Sequence, residues 1–219
     1  MRSSLRVFSL VTVIGGALLV TPWAASAATT ALWRMNETSG QTMYDAVGSA
    51  DGTNHHITEG LPGIAGSRAY GFNGFSSYVS VPTRSALNPG TAKLTVKVAV
   101  RFSRRPAQDY DLIRKGRART PGGYYKVEIV RSGQAICLFG GSKATVTVIG
   151  GPRLNDGRWH RISCIRSARR VRLYVDGRRA KQAWKVVGRI ANSSTLFVGA
   201  KPGSDWYRGR LDAAKILIG

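Results

Sequence analysis

Apolar and polar residues alternate with a period of two through most of the chain after residue 27, and helical periodicity is nearly absent. The stretch AKLTVKVAVRF, residues 92 to 102, puts Leu94, Val96, Val98 and Val100 on one face and Thr95, Lys97, Ala99 and Arg101 on the other. Successive side chains of a strand point to opposite faces, so this pattern predicts a half-buried antiparallel strand. The same reading predicts strands at 31–35, 69–73, 77–81, 110–115, 124–130, 135–139, 144–149, 159–166, 170–176, 185–188, 195–199 and 211–218. Gly, Pro, Asn and Asp separate them at intervals of about ten residues, the punctuation of an all-β sandwich or barrel. The fold class expected is all-β, an antiparallel two-sheet sandwich, with helix limited to one turn around residues 84–89.

One segment packs several signals together: LNDGRWHRISCIRSARRVRLYVDGR, residues 154 to 178. Asn155-Asp156-Gly157 is turn chemistry, because Gly tolerates positive φ and the Asn and Asp side chains can bond their own backbone. His160, Ile162 and Cys164 share one face of the strand that follows, Val171, Leu173 and Val175 share a face of the returning strand, and Asp176-Gly177 turns the chain again. This reads as a hairpin whose arginines mostly face solvent. His160 in such a place is a structural histidine rather than a general base, since no nucleophile is indicated beside it.

Residues 1–27 change the picture of where the protein works. Arg2 and Arg6 precede an apolar run from Val7 to Val20 that is too short to span a bilayer, and Ala25-Ser26-Ala27 supplies a small-residue cleavage site. A secretory signal peptide is expected, followed by one domain over 28–219, with no membrane span and an extracellular location. Residues 28–219 carry 31 basic against 11 acidic side chains, a formal charge of +20. Such a surface attracts polyanions over roughly a Debye length, about 8 Å at physiological salt. Cys137 and Cys164 are the only cysteines. Outside the reducing cytoplasm a single disulfide between them is the expectation, closing a loop of about 27 residues and contributing roughly 3 kcal/mol, with two separate buried thiols as the alternative. Neither cysteine has a CxxC partner, and three histidines add too few ligands for a zinc site.

Several segments, in order, resemble laminin G-like domains of the concanavalin A-like jelly-roll type. LNDGRWHRISCIR followed by VRLYVDG is similar to that family's DG-x-WH turn and strand and the strand that ends in a DG turn. ALWRMNETSGQTMYDAVGSADGT (31–53) resembles its opening strand and loop, GFNGFSSYVSVP (71–82) its paired F-x-G and Y-V-x-V strands, and LFVGA with YRGRLDAAKIL its closing strands. The resemblance implies a jelly roll. It also implies a structural calcium joining the first strand to the last, for which Asp212 and Asn36 or Glu37 stand at the matching positions, six to eight oxygens being what calcium requires. Glycoside hydrolases on the same broad fold carry an E-x-D-x-x-E strand. The three glutamates here, Glu37, Glu59 and Glu128, form no such pattern, and Glu128 in YYKVEIV reads as a lone acid on a strand.

Basic residues cluster at 114–119, 166–172 and 176–185. Guanidinium forks match phosphate, sulfate and carboxylate, and nearby rings can stack on a sugar. Arg114, Lys115, Trp184, Trp206 and Tyr207 are therefore the candidate ligand-binding residues, read as a basic and aromatic loop rim. The function expected is a secreted, non-catalytic binding module for carbohydrate or an anionic cell-surface polymer. The alternative is an adhesion or structural domain that binds a protein partner, and a glycoside hydrolase-like enzyme is the weaker third. No nucleic-acid motif is present, so no specific nucleic-acid partner is expected.

Overall fold

A computed structural model describes residues 28–219. The expected signal peptide lies outside the described residues. The chain opens with β1 (Ala28–Trp33), β2 (Thr42–Met43), β3 (Gly52–His55) and β4 (Thr58–Pro62). It continues through β5 (Arg68–Asn73), β6 (Tyr78–Val81), β7 (Leu94–Arg101), β8 (Tyr110–Lys115), β9 (Tyr124–Ile129) and β10 (Ala135–Gly140). The last six are β11 (Thr145–Gly150), β12 (His160–Arg166), β13 (Arg170–Val175), β14 (Arg178–Trp184), β15 (Leu196–Val198) and β16 (Arg208–Ile218). The only helical pieces among the described residues are single 3₁₀ turns at Ile64–Gly66 and Ser85–Leu87, the second inside the expected span. No helix among the described residues is long and apolar enough to cross a membrane.

Two antiparallel sheets make the sandwich. Sheet I runs β14-β13-β12-β7-β16-β5-β4, with β1 also paired to β16; sheet II runs β11-β10-β9-β8-β15-β6-β3-β2. The faces turned toward each other are apolar, as the alternation requires. Leu94, Val96, Val98 and Val100 of β7 are all 2% exposed or less, and Tyr125, Val127 and Ile129 of β9 are fully buried. Burying a Val or Leu side chain is worth about 1.5–3 kcal/mol, so one such strand face is a large share of the stability of a domain this size.

The disulfide Cys137–Cys164 is present and joins β10 of sheet II to β12 of sheet I. It therefore bolts the two layers together through the core rather than closing a surface loop. The hairpin expected at 154–178 is β12 and β13, paired in register from Ile162↔Val175 to Arg166↔Val171. Asp176 (φ 50°) and Gly177 (φ 79°) both have positive φ, as a two-residue hairpin turn of this hand requires. Arg166 departs from the expectation that these arginines face solvent. It is 2% exposed, and its guanidinium donates to the carbonyls of Gly188 and Gly90.

The strand expected at 185–188 lies instead at 178–184, so Trp184 ends an edge strand and is not a loop residue. β16 holds a second irregularity. Its first residues pair with β5 and its last with β1, while β7 flanks it throughout, and a bulge against β7 falls between Asp212 and Lys215 where Ala213 has φ 49°.

Candidate binding surfaces

The outer face of sheet I carries most of the hairpin's chemistry. The two basic segments 166–172 and 176–185 become antiparallel neighbours, β13 and β14, which sets Arg170 directly opposite Trp184. The Arg170 guanidinium lies 4.4 Å from the centre of the Trp184 ring, and that ring is 66% exposed at the sheet edge. Arg178, Arg179 and Lys181 of the same edge strand are exposed as well. A cation over an indole is held by the ring quadrupole, so Arg170 fixes the Trp184 side chain in place.

The turn beside this ribbon is braced by His160. Its Nδ1 lies 2.7 Å from Asp176 Oδ2 and its Nε2 3.0 Å from Asp156 Oδ1, so a ring that donates at both nitrogens is the imidazolium. Burial pulls the His160 pKa down, but hydrogen bonds to Asp176 and Asp156 and their charges outweigh it and hold it above 6.5. Asp156 and Asp176 are thus turn residues, as expected, and His160 is a structural clamp.

The outer face of sheet II is organised differently. Tyr78 stacks on His55 at 4.2 Å and packs against Trp206 at 5.9 Å and Phe197 at 6.0 Å. One step across the sheet, Arg114 pairs in register with Phe197 on one side and with Lys126 on the other. Glu128 is not a lone acid, contrary to the sequence reading, because the register of β8 with β9 sets it opposite Asp111. Lys126 bonds Glu128 and lies 4.0 Å from Asp111, which also holds Arg114. Burial pushes both carboxyl groups up in pKa, more than the cations pull them down. The pair is 0% and 2% exposed, and each acid has a cation against it. The K-x-E spacing of two in residues 126–128 was the available signal for a charged strand face.

Of the five expected ligand residues, the structure leaves Trp184 well exposed and Trp206 half-buried. They lie on different faces, Trp184 at the edge of sheet I and Trp206 over sheet II. Three expectations are corrected. Arg114 (5% exposed) and Lys115 (0%) belong to β8 inside sheet II, between β9 and β15, and not to a loop. Lys115 Nζ lies within 2.8–3.2 Å of Thr83 Oγ1, Asn192 O, Asn192 Oδ1 and Ser194 O, and burial pushes its pKa down to about 8. Tyr207 is fully buried against Phe72, Phe102 and Tyr110, with its hydroxyl 3.0 Å from Arg101 O.

The residues implied for calcium do not fit it. Asp212 Oδ2 accepts from the Ile64 N–H and the Ser67 hydroxyl, Asn36 Oδ1 from the Arg68 N–H, and the two oxygens of Glu37 from the Tyr44 N–H and the Tyr70 hydroxyl. Oxygens already turned to donors do not converge on a cation, and among the described residues no three His, Cys, Asp or Glu side chains form a metal-binding group. The first and last strands are joined by backbone pairing, and Asp212 pins the Ile64–Ser67 turn over the bulge of β16.

The family model of the laminin G type, described as the concanavalin A-like lectin/glucanases superfamily, matches residues 72–217. The chain belongs to that superfamily. Among curated proteins, the sex hormone-binding globulin of Phodopus sungorus is 38% identical over 65 residues, which is 30% of this chain and 16% of that protein. This superfamily member thus spans a small fraction of that relative's length. Solved structures share the fold, two of them as follows. The mouse laminin alpha1 chain, domains LG4-5, gives a TM-score of 0.55 at 20% identity over 68% of this chain and 40% of that chain. Domain 4 of AbnA, an extracellular arabinanase of Geobacillus stearothermophilus in complex with arabinotriose, gives 0.62 at 16% identity over 89% and 94%.

Proposed function

We propose that the protein is a secreted, non-catalytic binding module for a carbohydrate or another polymer that carries negative charge. The observation that carries this reading is the β13–β14 ribbon. There two basic segments pair so that an exposed indole and a stacked guanidinium stand at a sheet edge beside the exposed Arg178, Arg179 and Lys181. An aromatic face packs on a sugar ring and an arginine fork takes an oxyanion, so the ribbon offers both contacts at once. The superfamily match and the fold shared with an arabinanase domain held with arabinotriose are consistent with this reading. The non-catalytic part is supported by Asp111 and Glu128, whose carboxylates are buried and tied to Arg114 and Lys126.

The test is binding of the purified protein to an array of neutral and anionic glycans at low and high salt, with Trp184→Ala beside the wild type. Selective binding that survives high salt and is weakened in the variant supports the reading. Equal retention of every polyanion, abolished by salt and indifferent to Trp184, overturns it.

A further inference from the structure

The end of the sandwich away from the Ala28–Ile218 pair gathers the loops 74–77, 102–109, 130–134, 151–159 and 199–207 and the turn 176–177. The β5–β6 loop at this end leaves Phe75 70% exposed. Single exposed apolar side chains are ordinary on a protein surface, but this one is held out by its own loop. Asn73 Oδ1 accepts from the N–H groups of Phe75, Ser76 and Ser77 at 2.9–3.1 Å. Asn73 Nδ2 donates to Ser76 Oγ, and the Ser77 hydroxyl donates to the His56 carbonyl. The loop is thus ordered before a partner arrives, so presenting the ring costs no further ordering of backbone.

Cations surround that loop. Gly74 lets the backbone run against Arg208: a Cβ there would meet Arg208 Cβ at 2.8 Å. Arg208 lines a concavity of about 480 Å³ with Asn73, Arg101, Arg104 and Arg210, and none of its lining residues is acidic. Arg101 and Arg210 are register partners across β7 and β16, and like charges directly opposite each other favour an anion over them. Farther round the same end Arg105, Arg131, Arg153 and Arg158 are exposed, as Arg104 and Arg208 are. The four aspartates of these loops are already engaged: Asp109 with the Arg131 N–H, Asp156 and Asp176 with His160, and Asp205 with Lys201. Behind Phe75, the half-buried Tyr78 and Trp206 pack together at 5.9 Å.

We propose that this end of the sandwich docks on an anionic lipid bilayer, with the Phe75 ring inserted among the headgroups and Arg104 and Arg208 against lipid phosphates. The docking face lies on a different surface from the Trp184 ribbon and adds a lipid surface to the polymer proposed for that ribbon. Charge complementarity calls for a negative partner, and the shape calls for a bilayer. The cations come from separate loops spread across the end, and the ring stands on a loop instead of lining a groove. An exposed ring of this kind needs a matching pocket on a protein, whereas the headgroup region of a bilayer accepts it anywhere. Tyr and Trp side chains such as Tyr78 and Trp206 suit the headgroup level. Each arginine near an anionic leaflet adds attraction that fades as salt rises.

The experiment is co-sedimentation of the purified protein with vesicles of phosphatidylcholine alone and of phosphatidylcholine mixed with phosphatidylglycerol. Wild type is compared with Phe75→Ala, with Arg104→Gln/Arg208→Gln, and with Lys143→Gln/Arg189→Gln, which removes two exposed charges from the opposite end. Phe75→Ala and Arg104→Gln/Arg208→Gln are each expected to weaken binding to the mixed vesicles about tenfold, and the opposite-end variant no more than about twofold. Phe75→Trp is expected to add emission that shifts to the blue on the mixed vesicles and is quenched by brominated acyl chains. Equal losses in the two charge variants overturn the docking face, since net charge alone would then explain binding. Unchanged binding of Phe75→Ala, or added emission that brominated chains do not quench, overturns insertion and the proposal with it. Displacement from the vesicles by free glycerol phosphate assigns the arginines to a soluble phosphate and overturns the bilayer. Poly-L-glutamate bound with the same dependence on Phe75 overturns it in favour of an acidic protein. Absence of binding to either vesicle overturns it outright and leaves the reading of the Trp184 ribbon untouched.

Discussion

His160 shows how one side chain sets a local geometry that the hairpin then depends on. Its ring joins the turn at Asp156 to the turn at Asp176, and it does so best when protonated. A group whose folded pKa is raised contributes stability that is fully present below its unfolded value and lost as pH rises through the folded value. The His160→Asn variant is therefore expected to lose about 1–2 kcal/mol near pH 6 and progressively less as pH rises above 6.5, read as the difference between wild-type and variant denaturant curves. A difference that grows with pH would refute the clamp. Lys115 makes the opposite case, a cation read as a ligand contact that is wholly internal. Lys115→Met is expected to destabilise the fold by about 1–3 kcal/mol, because four oxygens lose their donor, and to leave polymer binding unchanged. Its position was not legible from residues 110–119, since a lysine at the end of a buried strand and one in a basic loop read alike until the neighbours at Thr83 and Asn192 are known.

At the scale of elements, the strands with clean alternation were legible and those without it were not. Residues 92–102 and the hairpin at 159–176 fall where periodicity puts them, because one face of each is core. β14 was displaced in the sequence reading because an edge strand with charges on its free side shows no apolar alternation, and charge is how an edge avoids pairing with another chain. β3 was missed for a related reason: GTNHH reads as a polar loop, yet it pairs with β6 and carries His55 onto Tyr78. The like-charge pairs Lys97–Lys215 and Arg101–Arg210 across β7 and β16 are set by the register of strands more than a hundred residues apart, which no local pattern encodes. The disulfide belongs to this scale because it links elements of opposite sheets. Replacing both Cys137 and Cys164 by Ser is expected to lower stability by about 3 kcal/mol in denaturant unfolding, and a change under about 1 kcal/mol would show that the core holds the layers together unaided.

The whole molecule is a neutral core between two unlike outer faces. Sheet II presents an aromatic cluster beside a buried, internally neutralised set of charges, whereas sheet I presents cations that form no ion pair among the described residues. A formal charge of +20 on residues 28–219 gives long-range attraction for polyanions, and the exposed cations carried on strands lie on sheet I, which gives that attraction a direction. Salt should separate the two contributions: long-range attraction fades as ionic strength rises, while contacts at Trp184 persist in part. The most direct test of the central claim is a map of backbone amide shifts by heteronuclear magnetic resonance while dextran sulfate is added to the protein. The account predicts that the shifts concentrate on β13 and β14 of sheet I. Shifts spread evenly over both faces, or gathered on sheet II around Tyr78, Phe197 and Trp206, would contradict it.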